Sequence, residues 1–369
     1  MPTIDRSRIK ALIEREEKRY IAERPKSRAL FERAKGSLFR GVPMSWMTEW
    51  PGAFPVFVSE AKGARLTDVD GHTYVDLCLG DSGALTGHSP KAAIDAIVRQ
   101  ANKGMTCMLP SEDSIWVGEE LSRRFGLPYW QIYATATDAD RFAIRMARRA
   151  TGRNLTLVFD GCYHGSVDEA LVSVKDGPYK TQRRNVVGPV PNPASRVIQF
   201  NDLDALEKAL SPQDVACVLC EPAMTNAGII FPEPGYHEAL REITLRFGTL
   251  LIIDETHTIS AGPGGLTRIW NLKPDFFTVG KAIASGLPVA ALGLAKEVAD
   301  KLDTGERCFG LGVGGTLAGS IIQAAAIRAT LEHVLTQEAY DRMIPIAKRL
   351  ADGVAEIIKA NSLPWHVNR

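Results

Sequence analysis

The chain has 369 residues, of which 45% are apolar and 24% charged, a composition typical of a globular protein with a substantial buried core. Its 44 basic and 43 acidic residues leave a net charge of +1, which predicts neither nucleic acid nor a membrane surface as a partner. No apolar run reaches the roughly 20 residues that cross a bilayer, and the charged N-terminal stretch lacks the apolar part of a secretory signal. The six cysteines are scattered, as expected of reduced thiols, so we predict a cytoplasmic protein.

The first 90 residues predict helices, a loop and a hairpin. Residues 1 to about 40 have the pattern of two helices, with breaks near Pro25 and Gly36. The stretch 41–58 is a loop rich in Trp, Pro and Met. Asp70-Gly71 then marks a hairpin turn between two strand-like runs.

From about residue 90 the pattern alternates between helices and short apolar strands. The runs LTLVF, ACVLCE and LLIID are continuously apolar, as expected when helices cover both faces of a sheet. This alternation predicts an α/β domain with a mostly parallel sheet. The predicted helices are 90–102, 113–125, 137–151, 202–210, 235–247, 316–334 and 337–360. The predicted strands are 130–135, 155–159, 196–200, 215–220, 249–253, 275–280 and 289–294.

Two residues with useful chemistry follow buried strands. The segment LLIIDETHT places Asp254 at a strand end, and DFFTVGKAIASGLPVAALG places Lys281 just past another, between Gly280 and Gly286. Ligands of open α/β sheets bind beyond the carboxyl ends of the strands, so the acid and the lysine are placed to act together. A lysine amine condenses with an aldehyde, and a carboxylate keeps a facing pyridine nitrogen protonated. Considered alone, Lys281 could equally be a surface lysine, and Asp254 could equally be the N-cap of a helix.

A third feature is the segment YATATDADRFAIRMARRATG, in which a strand ends and a helix opens at Thr135, Ala136 and Thr137. Free N–H groups at a helix start suit a phosphate, although Thr and Asp are also ordinary helix caps. The segment DGCYHGS follows the next strand. There Tyr163 is placed to stack on a flat ring, or it is a packed loop aromatic. His164 is either a proton carrier or a structural loop histidine.

Together these segments resemble the class III aminotransferases, in particular the subgroup that contains glutamate-1-semialdehyde aminomutase and the ω-amino acid and amine aminotransferases. The matches follow the family's order over roughly residues 25 to 360, and they include the 27-residue step from Asp254 to Lys281 (281 − 254). In chain order the matching segments are TDVDGHTYVDL, TGHSP, ATATDA, GCYHG, EPAMTNAG, IIDETHT, TVGKAIASGLPVAA and GGT.

The resemblance implies fold type I of the transferases that depend on pyridoxal 5′-phosphate (PLP, or PMP in its amino form). This fold has a large α/β domain with a mostly parallel seven-stranded sheet, and a small α+β domain formed by both chain ends. We expect residues 1–75 to begin the small domain, 76–315 to form the PLP-binding domain and 316–369 to lead back to the small domain. A homodimer with its sites at the interface is also implied.

For individual residues, the resemblance assigns the Schiff base with PLP and the proton transfers to Lys281, and the pyridine nitrogen to Asp254. Tyr163 stacks on the ring, with His164 beside it. Glu221 lies near the phenolic oxygen of the ring.

The resemblance also implies a phosphate site. Thr135, Ala136 and Thr137 bind the phosphate at the helix start, and Thr316, in GVGGT, reaches it from the partner subunit. Where many relatives read S-G-T-E-A, residues 135–139 read T-A-T-D-A, so the glycine is lost while the helix start is kept. Relatives also continue beyond the equivalent of Arg369, so we expect the final strands of the small domain to be missing.

The predicted reaction moves an amino group from an amine or an ω- or β-amino acid to an oxo acid such as pyruvate or 2-oxoglutarate. Substrate choice is assigned to Trp46, Trp50, Ser82 and His257. An alternative for the two tryptophans is that they only pack the small domain. His257 belongs to the segment D-E-T-H, where many relatives have D-E-V, and the alternative for it is that it only supports the site. The alternative functions are glutamate-1-semialdehyde 2,1-aminomutase, a PLP racemase or decarboxylase, and a catalytically impaired, truncated paralogue. No metal site is predicted.

Overall fold

The structure, a computed structural model, describes residues 5–174, 181–183, 194–305 and 311–368. The chain divides into two compact units. The first contains residues up to 81 together with 87–90 and 352–366, and the second contains 82–86, 91–351 and the residues from 367. The predicted domain boundaries, after residues 75 and 315, stay predictions.

The first unit combines two helices with a small antiparallel sheet. Its elements are α1 (Arg6–Glu23), α2 (Pro25–Ala34), β1 (Val58–Lys62), β2 (Arg65–Asp68) and β3 (Thr73–Val75). The turn at Asp70-Gly71 joins β2 to β3, as predicted. The Asp70 carboxylate also accepts the N–H groups of Lys26 (2.7 Å) and Ser27 (2.9 Å), two donors in the first turn of α2. The hairpin turn therefore holds the start of that helix.

The second unit carries the other α-helices and the other strands of the described chain. Its helices are α3 (Lys91–Ala101), α4 (Glu112–Phe125), α5 (Ala136–Thr151), α6 (Leu203–Leu210), α7 (Tyr236–Arg246), α8 (Gly265–Ile269), α9 (Lys296–Leu302), α10 (Ile321–His333) and α11 (Gln337–Ala360), whose last residues count with the first unit. Its strands are β4 (Tyr129–Tyr133), β5 (Leu155–Phe159), β6 (Val172–Val174), β7 (Thr181–Arg183), β8 (Ser195–Ile198), β9 (Val215–Cys220), β10 (Leu250–Asp254), β11 (Phe276–Val279) and β12 (Ala290–Leu294).

Seven of these strands form one sheet in the order β4-β12-β11-β10-β9-β5-β8. Only β12 runs against its neighbours β4 and β11, and the other adjacent pairs are parallel. The prediction of a mostly parallel, seven-stranded sheet is confirmed. Because six strands point the same way, their carboxyl ends meet at one edge of the sheet, where ligands of this architecture bind.

Apolar side chains fill both faces of the sheet. Phe276 and Ala290 face one buried cluster with α5, α6 and α7, whereas Phe277 and Ala291 face another with α4 and α10. Neighbouring residues on a strand thus serve opposite faces, which explains why the strands read as continuously apolar in the sequence. Among the described helices, none has the length and apolar character needed to cross a bilayer.

One predicted boundary is wrong. The helix expected from about 316 begins at Ile321, because residues 316–319 form turns and Ser320 caps the helix with Gln323. The Ser320 N–H donates to Gln323 Oε1 at 3.1 Å, and the Ser320 side chain accepts the N–H of Gln323, the third residue of the helix. The short strands β6 and β7, which pair with each other, were not predicted.

Candidate active site

Asp254 ends strand β10 and is 4% exposed. Its Oδ2 lies 2.9 Å from Nδ1 of His164, and its Oδ1 accepts the N–H of Thr256 at 2.9 Å. Burial by itself raises the pKa of Asp254, but the hydrogen bond and the charge of His164 outweigh it and lower the pKa below its usual value. The strand end therefore presents an ionised, buried carboxylate.

His164 lies in the loop after β5 and is 1% exposed. Burial lowers its pKa, yet the hydrogen bond to Asp254 and the neighbouring Cys162 raise it well above the usual value. Its second ring nitrogen, Nε2, is buried and has no hydrogen-bond partner in the described part of the chain. From the sequence, His164 is either a proton carrier or a structural loop histidine. The hydrogen bond to Asp254 favours the structural role, in which His164 fixes the position of the Asp254 carboxylate.

Lys281 follows β11 and Gly280 and opens a short 3-10 helix over Lys281–Ala284. Its backbone has φ = 50°, a left-handed conformation that a residue with a Cβ adopts only at some cost in energy. Its Nζ lies 2.5 Å from Nε2 of His257, whose Nδ1 lies 3.0 Å from Oγ of Ser82. The structure thus joins Ser82 and His257, both predicted as substrate residues, to the predicted Schiff-base lysine.

The start of α5 is held against the strand end that carries Lys281. A Cβ on Gly280 would lie 3.1 Å from the Cβ of Ala136, closer than about nine in ten real Cβ contacts. Thr135 is the N-cap of α5, and its hydroxyl accepts the N–H of Asp138 at 3.1 Å. The predicted phosphate cradle and the predicted lysine are therefore neighbours.

Thr137 connects the same helix start to the loop of Tyr163 and His164. Its hydroxyl accepts the N–H of Ser166 at 3.1 Å. A Cβ on Gly165, which has φ = +72°, would overlap the Thr137 hydroxyl, so only glycine lets the loop come this close. Tyr163 is half-buried in this loop, and its role in ring stacking stays a prediction.

Glu221 follows the last residue of β9 and is 3% exposed. Its carboxyl group accepts the hydroxyl of Thr225 at 2.5 Å and the N–H of Thr225 at 3.2 Å. Burial raises the pKa of Glu221 to about 7, although His164 and Thr225 act in the opposite direction. This strand end therefore carries a carboxyl group that titrates near neutral pH.

Three predicted residues are not joined to this centre by the described contacts. Thr316 is exposed in the turns before α10. Trp46 and Trp50 belong to the first unit, where both indoles are exposed. The roles assigned to these residues stay predictions.

Asp140 on α5 was not predicted as a site residue from the sequence. It is fully buried, and its Oδ1 accepts the hydroxyl of Thr278 at 2.7 Å. The signal was present in the helical pattern, because Asp140 occupies the same buried stripe as Ala139, Ala143 and Ile144. An acid in an apolar stripe is uncommon unless another group pairs with it.

Comparisons with known proteins agree with this geometry. A family model described as aminotransferase class III matches residues 47–367. The chain belongs to the class III aminotransferase family. The predicted family and fold class are thereby confirmed.

A glutamate-1-semialdehyde 2,1-aminomutase from Akkermansia muciniphila is 34% identical over 352 residues, which cover 93% of this chain and 82% of the relative. The crystal structure of a glutamate-1-semialdehyde aminomutase from Pseudomonas aeruginosa matches with a TM-score of 0.94 and 47% identity, covering 99% of this chain and 83% of that chain. An ω-transaminase from Sphaerobacter thermophilus matches with a TM-score of 0.86 and 29% identity, covering 93% and 80%.

The residues present fit a pyridine cofactor. A lysine amine, a buried carboxylate at a strand end and a helix start converge at one edge of the sheet, and His164 Nε2 adds a buried polar atom without a partner in the described residues. A lysine-to-alanine variant of the P. aeruginosa enzyme has been solved in complex with PMP. The predicted cofactor, PLP, is confirmed for the family to which the chain belongs.

Proposed function

We propose that this chain is a PLP-dependent enzyme of the glutamate-1-semialdehyde 2,1-aminomutase type, which exchanges an amino group and a carbonyl oxygen between neighbouring carbons of one small substrate. The observation that carries the proposal is the close approach of Gly280, next to Lys281, to the start of α5. Relatives named for this reaction, at 34% and 47% identity, support the choice of substrate. This reaction was the alternative predicted from the sequence, whose first prediction was transfer of the amino group to an oxo acid.

Lys281 supplies the amine that holds the cofactor and carries a proton to and from the substrate carbon that bears the amino group. When bound, PLP supplies an electron sink for the charge left on that carbon. Asp254 keeps the ring nitrogen protonated, and His164 keeps Asp254 ionised through their 2.9 Å hydrogen bond. Thr135, the N-cap of α5, leaves the first N–H groups of that helix to bind the phosphate.

His257 positions Lys281 in this scheme. With Nε2 at 2.5 Å from Lys281 Nζ and Nδ1 at 3.0 Å from Ser82 Oγ, its ring links the amine to a hydroxyl. A proton on the freed Lys281 amine therefore has a neighbouring acceptor. This arrangement suits an enzyme in which one lysine must both lose and regain a proton in each turnover.

The second candidate is transfer between two substrates, from an amine or an ω- or β-amino acid to an oxo acid. The S. thermophilus ω-transaminase, at 29% identity, favours it. Lys281 and Asp254 serve both reactions, because each reaction includes the loss of a proton from a carbon that carries an amino group. The candidates differ in whether an oxo acid is needed as a second substrate.

A homodimer fits the surface around Thr316. Thr316, Met108 and Leu109 line one groove of the second unit, and the side chains of Met108, Leu109 and Leu317 are largely exposed. Exposed apolar groups of this size are typical of a surface covered by another chain. We expect sedimentation to give twice the 40.2 kDa chain mass, and Leu109→Asp to give the monomer.

The test is a titration of the PLP-loaded chain followed by its visible absorption. Glutamate-1-semialdehyde and diaminovalerate are the probes for the aminomutase. An aromatic amine and a β-amino acid, followed by pyruvate, are the probes for intermolecular transfer. We expect the first set to change the spectrum and the semialdehyde to be isomerised without an added oxo acid. A response to the second set alone would establish the second candidate, and a chain that takes up no PLP would contradict both.

A further inference from the structure

Behind Asp254 lies a second buried acid. Asp140, His164 and Asp254 form a cluster. One carboxylate oxygen of each acid and one ring nitrogen of His164 all lie within 4.8 Å of one another. They come from three elements: α5, the loop after β5, and the end of β10. Asp140 and His164 are fully buried, and Asp254 nearly so. Water therefore screens none of their charges effectively.

The charges of this group do not balance if both acids are ionised. Two carboxylates and one imidazolium leave a net negative charge in the interior, which costs several kcal/mol in the absence of water. Asp140 also keeps one oxygen, Oδ2, without a hydrogen-bond partner in the described residues. A proton on Asp140 removes the excess charge, and Asp254 keeps its own charge because His164 pairs with it.

Other titratable groups face the same space. Glu221 interacts electrostatically with both His164 and Asp254, and the buried thiols of Cys162 and Cys220 interact with His164 and Asp254, respectively. Burial and the charge of Asp254 raise the pKa of Asp140 well above its usual value, although the charge of His164 and the hydrogen bond from Thr278 act in the opposite direction. The proton has two candidate holders among the acids, Asp140 and Glu221, and the geometry separates them. Glu221 has both oxygens bonded by Thr225, whereas Asp140 has an oxygen left over.

We propose that Asp140 is a positioning residue that stores a proton behind Asp254 and yields it to the ring nitrogen that binds, unprotonated, against Asp254. The inference rests on the proposed function, because that nitrogen belongs to the pyridine ring of PLP. The O–H bond of Asp140 breaks, and its proton passes by way of Asp254 to form the N–H bond of the ring. No electron is transferred, and the buried group gains the cation without gaining net charge.

The test is a proton count on cofactor binding. The full chain, freed of cofactor, is mixed in weak buffer near neutral pH with PLP, or with pyridoxine 5′-phosphate, which lacks the aldehyde and so leaves Lys281 out of the count. An indicator dye reports proton uptake. We expect the wild type to take up about one proton fewer per site than Asp140→Asn. Asparagine keeps the acceptor for Thr278 and a donor toward Asp254, so a merely structural role of Asp140 leaves the count unchanged.

Two controls make the count specific. Asp204→Asn, at an exposed acid in the first turn of α6, is expected to give the wild-type count. Glu221→Gln is expected, like the wild type, to take up about one proton fewer per site than Asp140→Asn. If Glu221→Gln changed the count and Asp140→Asn did not, Glu221 would be the store and the proposal would be overturned.

Equal counts for the wild type and Asp140→Asn, with both binding the cofactor, would overturn the inference and leave the proposed function standing. A wild type that binds neither compound would overturn both. If Asp140→Asn does not fold, Thr278→Val replaces it, because loss of that hydroxyl removes a donor that stabilises ionised Asp140. In Thr278→Val we then expect Asp140 to yield its proton on cofactor binding only at a higher pH than in the wild type. A proton count with the same pH dependence as that of the wild type would contradict the proposal.

Discussion

Gly280 stands against Ala136 so closely that a Cβ on Gly280 would lie 3.1 Å from the Cβ of Ala136. Gly280 precedes Lys281, and Ala136 is the first residue of α5. One contact therefore sets the distance between the amine and the helix start. It also explains a glycine at a strand end where the backbone dihedral angle does not itself demand one.

Gly280→Ala tests this contact. The added methyl group must displace Ala136 or the strand end, so we expect a loss of about 1–3 kcal/mol in the free energy of unfolding and weaker binding of PLP. Denaturant titration and cofactor fluorescence measure the two effects. Gly118→Ala is the control, since nothing lies within 4 Å of its Cβ in helix α4, and it is expected to stabilise the chain. Equal effects of the two changes would show that the contact is unimportant.

His164→Gln tests the buried pair with Asp254. The pKa of His164 is higher in the folded chain than in the unfolded chain. Its contribution to the free energy of unfolding is therefore complete below the unfolded pKa of about 6.5, and it is lost as pH rises through the higher folded pKa. The folded pKa of Asp254 is lowered, so its contribution is present above the unfolded pKa and is lost as pH falls through the lower folded value. We therefore expect a destabilisation of about 3 kcal/mol at neutral pH that shrinks toward both extremes.

The pair has a matched control in His333→Gln, on the exposed end of α10. That change is expected to alter the free energy of unfolding by less than about 0.5 kcal/mol at any pH. Denaturant titrations over a pH series give both curves. A loss from His164→Gln that does not vary with pH would contradict the ionised pair.

Glu221→Gln tests the raised pKa of Glu221. Because the folded pKa is about 7, the unfolded chain releases this proton first, and the wild type loses stability as pH rises from about 4.5 to about 7. The glutamine side chain does not titrate. The free energy of unfolding of the variant, relative to that of the wild type, should therefore rise by on the order of 3 kcal/mol over this interval and stay constant at higher pH. Glu238→Gln, at an exposed acid of α7, is the control with no such trend. A flat difference curve for Glu221→Gln would refute the shift.

His257→Phe tests the contact between His257 and Lys281. The ring shape is kept but the acceptor at 2.5 Å from Lys281 Nζ is lost, so proton transfer to and from the substrate should slow by about 100-fold or more. Stopped-flow absorption of a single half-reaction, with a substrate deuterated at the reacting carbon, measures this step. Ser82→Ala, which removes only the partner of Nδ1, should slow it less. An unchanged rate and isotope effect in His257→Phe would show that His257 serves substrate binding alone.

The sheet and the strand-end residues were predictable from the sequence. Continuous apolar runs marked β5, β9 and β10 at their observed bounds to within a residue. Asp254 and Lys281 followed because a parallel sheet brings its carboxyl ends to one edge. Thr135 was recognised as a helix start from its residue type alone.

The contacts between distant segments were not predictable in the same way. Asp140 reaches Thr278 across 138 positions in the chain, and Ser82 reaches His257 across 175. Periodicity along one helix shows that Asp140 is buried but does not show which group lies opposite. Likewise, the closeness of Gly280 to Ala136 depends on the packing of α5 against β11 and β12, which no local pattern records.

The most direct test of the account is reduction of the PLP-loaded chain with borohydride, followed by peptide mapping. We predict a visible absorption band that disappears on reduction, with a single phosphopyridoxyl group on Lys281 and none on Lys281→Ala. The phosphopyridoxyl group found on another lysine, or equally in both chains, would contradict the assignment of Lys281 and with it the proposed site.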